Sequence, residues 1–172
     1  MKKDSFSGLS WMTEEIRNEL NLRDKIVKEE DIEKLFSLND NSDFSIALYE
    51  ILVKRNKKKT NSLNEIELNL FLCMNLENAG QADSILTFLQ EWFPKQNEKT
   101  IKSLNEIGAT KSSEIIKKAI ELLPENGSWF FDSSDEESEK LMSKLDSDFS
   151  NYPDGSMKNL YRKYAEINRS RI

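Results

Sequence analysis

Apolar residues recur every three or four positions along most of this chain, a spacing that predicts helices, and no clear pair of strands emerges. Leu9, Met12, Ile16 and Leu20 give a short amphipathic helix, with Thr13, Glu14 and Glu15 near its start. A weaker helix is expected at about 29–38, burying Ile32, Leu35 and Phe36, before a turn at Asn39-Asp40-Asn41-Ser42. Asp43 is the expected N-cap of a third helix, which carries Phe44, Ala47, Leu48, Ile51 and Leu52. It ends in Lys54-Arg55-Asn56-Lys57-Lys58-Lys59, cations that offset the helix dipole. That run reads either as a solvated helix end or as a contact for an anion.

Ser62-Leu63-Asn64-Glu65 fits a capping box. The helix behind it is apolar on several sides (Leu63, Ile66, Leu68, Leu70, Phe71, Leu72, Met74, Leu76), which predicts a central position. Asn78-Ala79-Gly80 is expected to interrupt it. Ile85, Phe88, Leu89 and Trp92 form the next stripe, which places Trp92 in the core, and Pro94 closes it. Ile101, Leu104 and Ile107 mark a helix stopped by Gly108 as its C′ residue. Thr110 is the expected cap of a helix carrying Ile116, Ala119, Ile120 and Leu123, broken by Pro124 to Gly127. Trp129-Phe130-Phe131 is expected to pack a loop onto the core. A second capping box, Ser134-Asp135-Glu136-Glu137, precedes a helix that buries Leu141, Met142, Leu145 and Phe149. After the turn Tyr152-Pro153-Asp154-Gly155, a last helix carries Met157, Leu160, Tyr161 and Tyr164.

The composition supports helix, with three prolines and five glycines in 172 residues. It also narrows the chemistry. There is no histidine, so Ser–His–Asp triads, Cys–His pairs and histidine-ligated zinc are excluded. Cys73, the only cysteine, sits among Phe71, Leu72, Met74 and Leu76 and is expected to be a buried small hydrophobe. The lack of an intrachain disulfide suits a reducing, cytoplasmic setting, and no apolar run is long enough to span a bilayer. Phosphate-binding, dinucleotide, CxxC and calcium-loop motifs are absent. Glu65 and Glu77 flank the central helix but stand about 18 Å apart by helical rise, too far for a catalytic pair. The reading is a non-enzymatic protein without cofactor or metal.

Charge singles out one segment. The chain has 31 acidic against 25 basic residues, a net charge of −6. Residues 132–154 contain Asp132, Asp135, Glu136, Glu137, Glu139, Asp146, Asp148 and Asp154, opposed by Lys140 and Lys144 alone. The excess there equals that of the whole chain. In helical phase, Asp135, Glu139 and Asp146 fall on one flank, with Asp135 and Glu139 about 6 Å apart along the axis. That interval is similar to the step between phosphates on a nucleic-acid strand. These eight carboxylates are the candidate partner-binding residues. The competing reading is a capped, solvated helix face whose first-turn charges stabilise the dipole. An acidic chain is not expected to bind nucleic acid directly.

From Leu63 to Asn168 the chain resembles a bacterial all-helical DNA-mimic protein family. The resemblance rests on Leu63-Asn64-Glu65-Ile66-Glu67 leading to Leu76-Glu77-Asn78, and on Ser103-Leu104-Asn105-Glu106-Ile107-Gly108-Ala109. Ile115-Ile116-Lys117-Lys118-Ala119, Leu145-Asp146-Ser147-Asp148-Phe149, and then Leu160, Tyr164 and Asn168 follow in order. Members commonly carry Asn-Gly-Gly-Phe after the first motif helix; here Asp83-Ser84-Ile85 takes the place of Gly-Gly-Phe. The resemblance implies an all-helical fold and an acidic surface that imitates duplex DNA, occupying the DNA site of a basic transcription factor.

The expected architecture is all-α, a compact, non-solenoid multi-helix bundle. Residues 1–60 form a helical extension packed on a main domain, 61–172. The expected partner is a basic DNA-binding protein. The alternative is a cytoplasmic inhibitor or immunity-type protein that binds a toxin, with Trp11, Trp92 or Trp129 as aromatic anchors. Either reading is compatible with a homodimer.

Overall fold

Capping chemistry sets where each helix begins. The computed structural model describes residues 13–58 and 63–172, and all regular structure among them is helical. Helix α1 (Glu14–Glu29) starts at Thr13, whose hydroxyl accepts from the Ile16 N–H. It runs nine residues beyond Leu20, the end of the expected stripe, before Glu30 turns it off with φ 53°. Leu9 and Met12 lie outside the described residues. The expected helix at 29–38 contracts to one turn, α2 (Ile32–Leu35), capped by Asp31.

Helix α3 (Asn41–Lys58) begins earlier than expected because Asp40 does the capping, accepting from the Ser42 and Asp43 N–H groups. Asp43 instead pairs with Arg23 of α1 at 3.3 Å. The basic tail of α3 turns back on α1. Lys54 Nζ donates to the Val27 and Lys28 carbonyls, and Arg55 and Lys58 pair with Glu30. Lys54, Arg55 and Lys58 of this run thus meet the C-terminal end of α1, and Arg55 also pairs with Glu67.

Ser62 lies outside the described residues, and the capping box of α4 (Glu65–Ala82) is built by Asn64 and Glu67. The helix continues straight through the expected interruption at Asn78-Ala79-Gly80. Gly80 lets the Phe149 ring pack close: a Cβ would sit 3.3 Å from it, a tight contact. Helix α4 is buried over most of its circumference, Cys73 included, and packs against α3 and the helices that follow. Burial pushes the Cys73 thiol well above its ordinary pKa, so it is an unreactive apolar group.

A single turn, α5 (Ile85–Thr87), widens into a π-helical turn, Phe88–Trp92, closed by the Phe93 N–H on the Phe88 carbonyl. The wider turn rotates Trp92 out of the stripe, leaving it 44% exposed rather than in the core. Helix α6 (Asn97–Glu106) ends as expected at Gly108, with φ 88° and the paired bonds from Ala109 to Leu104 and from Gly108 to Asn105. Helix α7 (Thr110–Glu121) is not capped by Thr110. The distant Asp154 caps it, accepting from the Lys111 and Ser112 N–H groups and the Ser112 hydroxyl.

The aromatic triplet forms a one-turn helix, α8 (Phe130–Ser133), with Phe130 buried and Phe131 53% exposed. Helix α9 (Glu136–Ser150) is capped by Asp135, one residue later than the expected box. It buries Met142, Leu145 and Phe149, while Leu141 stays 43% exposed. Helix α10 (Met157–Ile167) returns to α3 and α4. Arg162 fastens it there, donating to the Phe36 and Leu38 carbonyls and lying 4.9 Å over the Phe44 ring. One apolar cluster joins residues from α1 through α10.

Local bonds make this fold sensitive to acid. Lys58 holds the Glu30 carboxyl below its ordinary 4.5. Lys34 holds Asp31 below 3.8, and backbone N–H groups do the same for Asp40 and Asp135. Each group binds its proton less readily folded than unfolded. Their stabilisation is therefore complete above about pH 5 and lost as pH falls through 4 towards the folded values. Thermal melts should show Tm level between pH 6 and 7 and falling below about pH 4.5; a Tm that rises on acidification would contradict this.

Candidate functional site, an acid-rimmed groove

Helix α9 presents one flank to solvent beside α8 and the start of α5, and a groove of about 570 Å³ runs between them. Ile85, Leu86, Phe131 and Met142 give it an apolar floor. Glu136, Glu139 and Asp146 stand along it with one cation, Lys140. The three carboxylates are spaced three and then seven apart, so the helical period alone brings them to one side.

The expected site carboxylates have different roles. Asp132 and Glu137 are exposed, with no ion-pair or side-chain hydrogen-bond partner among the described residues. Asp135 is exposed and caps α9; the Ser138 N–H, 2.7 Å away, holds its carboxyl below the usual range. Glu136 is exposed and pairs with Lys140 at 2.6 Å, an i,i+4 contact of small energy at this exposure. Glu139 accepts from the Ser134 hydroxyl at 3.0 Å. Asp146 accepts from the Ile85 N–H at 2.7 Å, which fixes the start of α5 against α9. Asp148 pairs with Lys144. By helical phase it lies about 160° from Asp146, away from the groove. Asp154 is spent on the α7 N-terminus.

The structure thus brings Glu136, Glu139 and Asp146 to the groove and leaves Asp132, Asp135 and Glu137 exposed around the α8–α9 junction. The apolar floor escapes sequence reasoning. Its one signal is the pair Phe130-Phe131, which cannot both face inward from a single helical turn. Trp129 is partly buried beside Phe131, with ring centroids 6.1 Å apart.

The described residues thus form an all-α protein with a carboxylate-edged surface groove. A family model described as DMP19-like protein matches residues 61–168, and the chain belongs to that family. No curated protein matches the chain, and no solved structure does. Helices α1 to α3 precede the matched region. No described helix is long and apolar enough to cross a membrane.

Proposed function

We propose that this protein binds a basic DNA-binding protein, such as a transcription factor, by presenting carboxylates where DNA phosphates otherwise sit. The observation that carries the reading is the cluster at the start of α9. Asp132, Asp135, Glu136 and Glu137 are all exposed within six residues, across the junction of α8 and α9, whose placement is fixed by buried side chains, in a chain of the DMP19-like family. Negative charge held outward on a stiff element attracts a basic surface over the Debye length and favours rapid, salt-sensitive association. Phe131 and the groove floor add an apolar contact that a DNA strand lacks. Catalysis has no part in this reading, and neither does any cofactor.

The test is affinity capture with the immobilised full chain, followed by release with duplex DNA. A DNA-binding protein should be captured, displaced by duplex, and lost between about 0.1 and 0.3 M salt, where screening shortens. Asp132→Lys, Glu136→Lys and Glu137→Lys together should weaken that partner at least about tenfold, while far-ultraviolet circular dichroism stays unchanged. Equal capture by the folded triple variant, or a captured toxin indifferent to DNA, overturns the proposal.

A further inference from the structure

A second cavity, of about 450 Å³, opens between α3, α4 and the start of α10. Its buried charged group is Glu77, only 9% exposed, while Glu50 and Lys158 line it from exposed positions. Burying a carboxylate is costly unless a cation or several donors satisfy it. Glu67, on the same helix, is equally buried and has Arg55. Glu77 has no lysine or arginine within ion-pair distance among the described residues. It accepts from the Tyr161 hydroxyl at 2.9 Å, and Tyr152 lines the same cavity. Burial and the Glu77 charge push the Tyr152 hydroxyl up to about 12, so both phenols remain neutral.

The walls fit a cation with an aliphatic stem. Tyr49, Tyr152 and Tyr161 line the cavity, and aromatic faces attract cations. Ile46 and Met74 supply apolar wall, with Ile46 41% exposed at the rim. Ser45 lines the same space at 8% exposure, and its hydroxyl has no hydrogen-bond partner. Lys158 also lines it, but its ammonium is given to the Ser42 hydroxyl at 3.0 Å. A smaller adjoining cavity again has Glu77, Tyr152 and Lys158 in its wall, so the carboxylate is reached from two sides. The volume is within the range of sites for small ligands.

We infer that this cavity is a binding site for an alkylammonium or alkylguanidinium group, with Glu77 taking the charge, the three tyrosines surrounding it, and Ile46 and Met74 contacting the stem. This is a site separate from the α9 groove and does not depend on what the groove binds. The group is either that of a free small amine or guanidine, or a lysine or arginine side chain of a protein.

The experiment is an amide-resolved NMR titration of the full chain with butylguanidinium, butylammonium and neutral butylurea. Saturable shifts at Ser45, Glu77 and Tyr152 with the two cations, at a dissociation constant on the order of 1 mM, and none with butylurea, support the site. Glu77→Gln should weaken the cations at least about tenfold. Lys158→Met, an exposed change that removes the competing charge, should tighten them roughly threefold. Absence of saturation in the wild type, equal shifts with butylurea, or unchanged affinity in the folded Glu77→Gln chain overturns the assignment. Should Glu77→Gln not fold, weaker or unchanged binding in Lys158→Met overturns it instead. Comparing butylguanidinium with an acetyl-Ala-Arg-Ala-amide peptide separates the sources. Tighter binding of the peptide assigns the site to a protein side chain, and tighter binding of the free cation to a small molecule.

Discussion

Phe44→Ala is expected to remove about 3–5 kcal/mol of stability, the usual cost of deleting a buried phenylalanine. The ring is fully buried at the joint between the N-terminal helices and α10. Phe36 packs on it at a centroid distance of 5.4 Å, and the Arg162 guanidinium lies over its face. Alanine leaves a cavity and also strips Arg162 of its aromatic support, while that arginine still has to bridge α10 to the Phe36 and Leu38 carbonyls. Against a total of about 5–15 kcal/mol for a domain, the loss is severe. Urea unfolding should show a lower midpoint at an unchanged slope, in one transition. We propose that residues 1–60 are an extension docked on the family region and unfold together with it. A separate early transition in the wild-type chain would show instead that they melt apart, and a midpoint within experimental error of wild type would show that the ring contributes little.

The joint shows what local pattern reveals and what it leaves hidden. Phe44, Ala47, Leu48, Ile51 and Leu52 are all buried as their spacing predicts, because a helical stripe needs only its own sequence. Boundaries slip by one to three residues where several cap-forming residues stand together. Asp40 wins over Asp43, and Asp135 over Ser134, since each of these side chains can accept from the following N–H groups and only tertiary placement selects one. Gly80 reads as a helix breaker by propensity, yet α4 runs through it and the Phe149 ring packs against its bare face. Trp92 reads as core because the stripe assumes 3.6 residues per turn, and the π-helical turn departs from that period.

The candidate groove was legible in its charge and not in its shape. The carboxylate excess of 132–154 is visible by counting, and the phase argument groups Asp135, Glu139 and Asp146, of which Glu139 and Asp146 line the groove while Asp135 caps α9. Tertiary bonds then divide the set. Asp146 reaches Ile85 and Asp154 reaches Ser112, partners 61 and 42 residues away in the chain. No local pattern announces such pairs. The same holds for Glu77, whose lack of an ion-pair partner among the described residues becomes apparent only when α4 and α10 come together.

Breaking the other buried carboxylate, through Glu67→Ala, is expected to cost about 2–4 kcal/mol. Removal of one member of a fully buried ion pair costs about 3–5 kcal/mol, and partial solvent access at Arg55 lowers the figure. Glu67 has two tasks. One oxygen binds Arg55, and the other accepts from the Asn64 N–H at 2.9 Å to complete the capping box of α4. Its side chain is 7% exposed against 22% for Arg55, which keeps a further bond to Glu30 at 3.3 Å. The carboxylate is therefore the more dependent partner, and Arg55→Met, which leaves it buried and unpaired, should cost more than Glu67→Gln, which leaves Arg55 its bond to Glu30. Glu67→Gln preserves an acceptor for Asn64 while removing the charge, so it isolates the ion pair from the cap and should fall between wild type and alanine. In the double variant Glu67→Met with Arg55→Met, neither charge is left buried and unpaired, so the combined loss should be smaller than the sum of the single losses by more than about 1 kcal/mol. Denaturant midpoints for the full cycle check this. Strict additivity would mean that the two side chains, though in contact, stabilise α4 independently, with the capping bond alone accounting for the effect of Glu67.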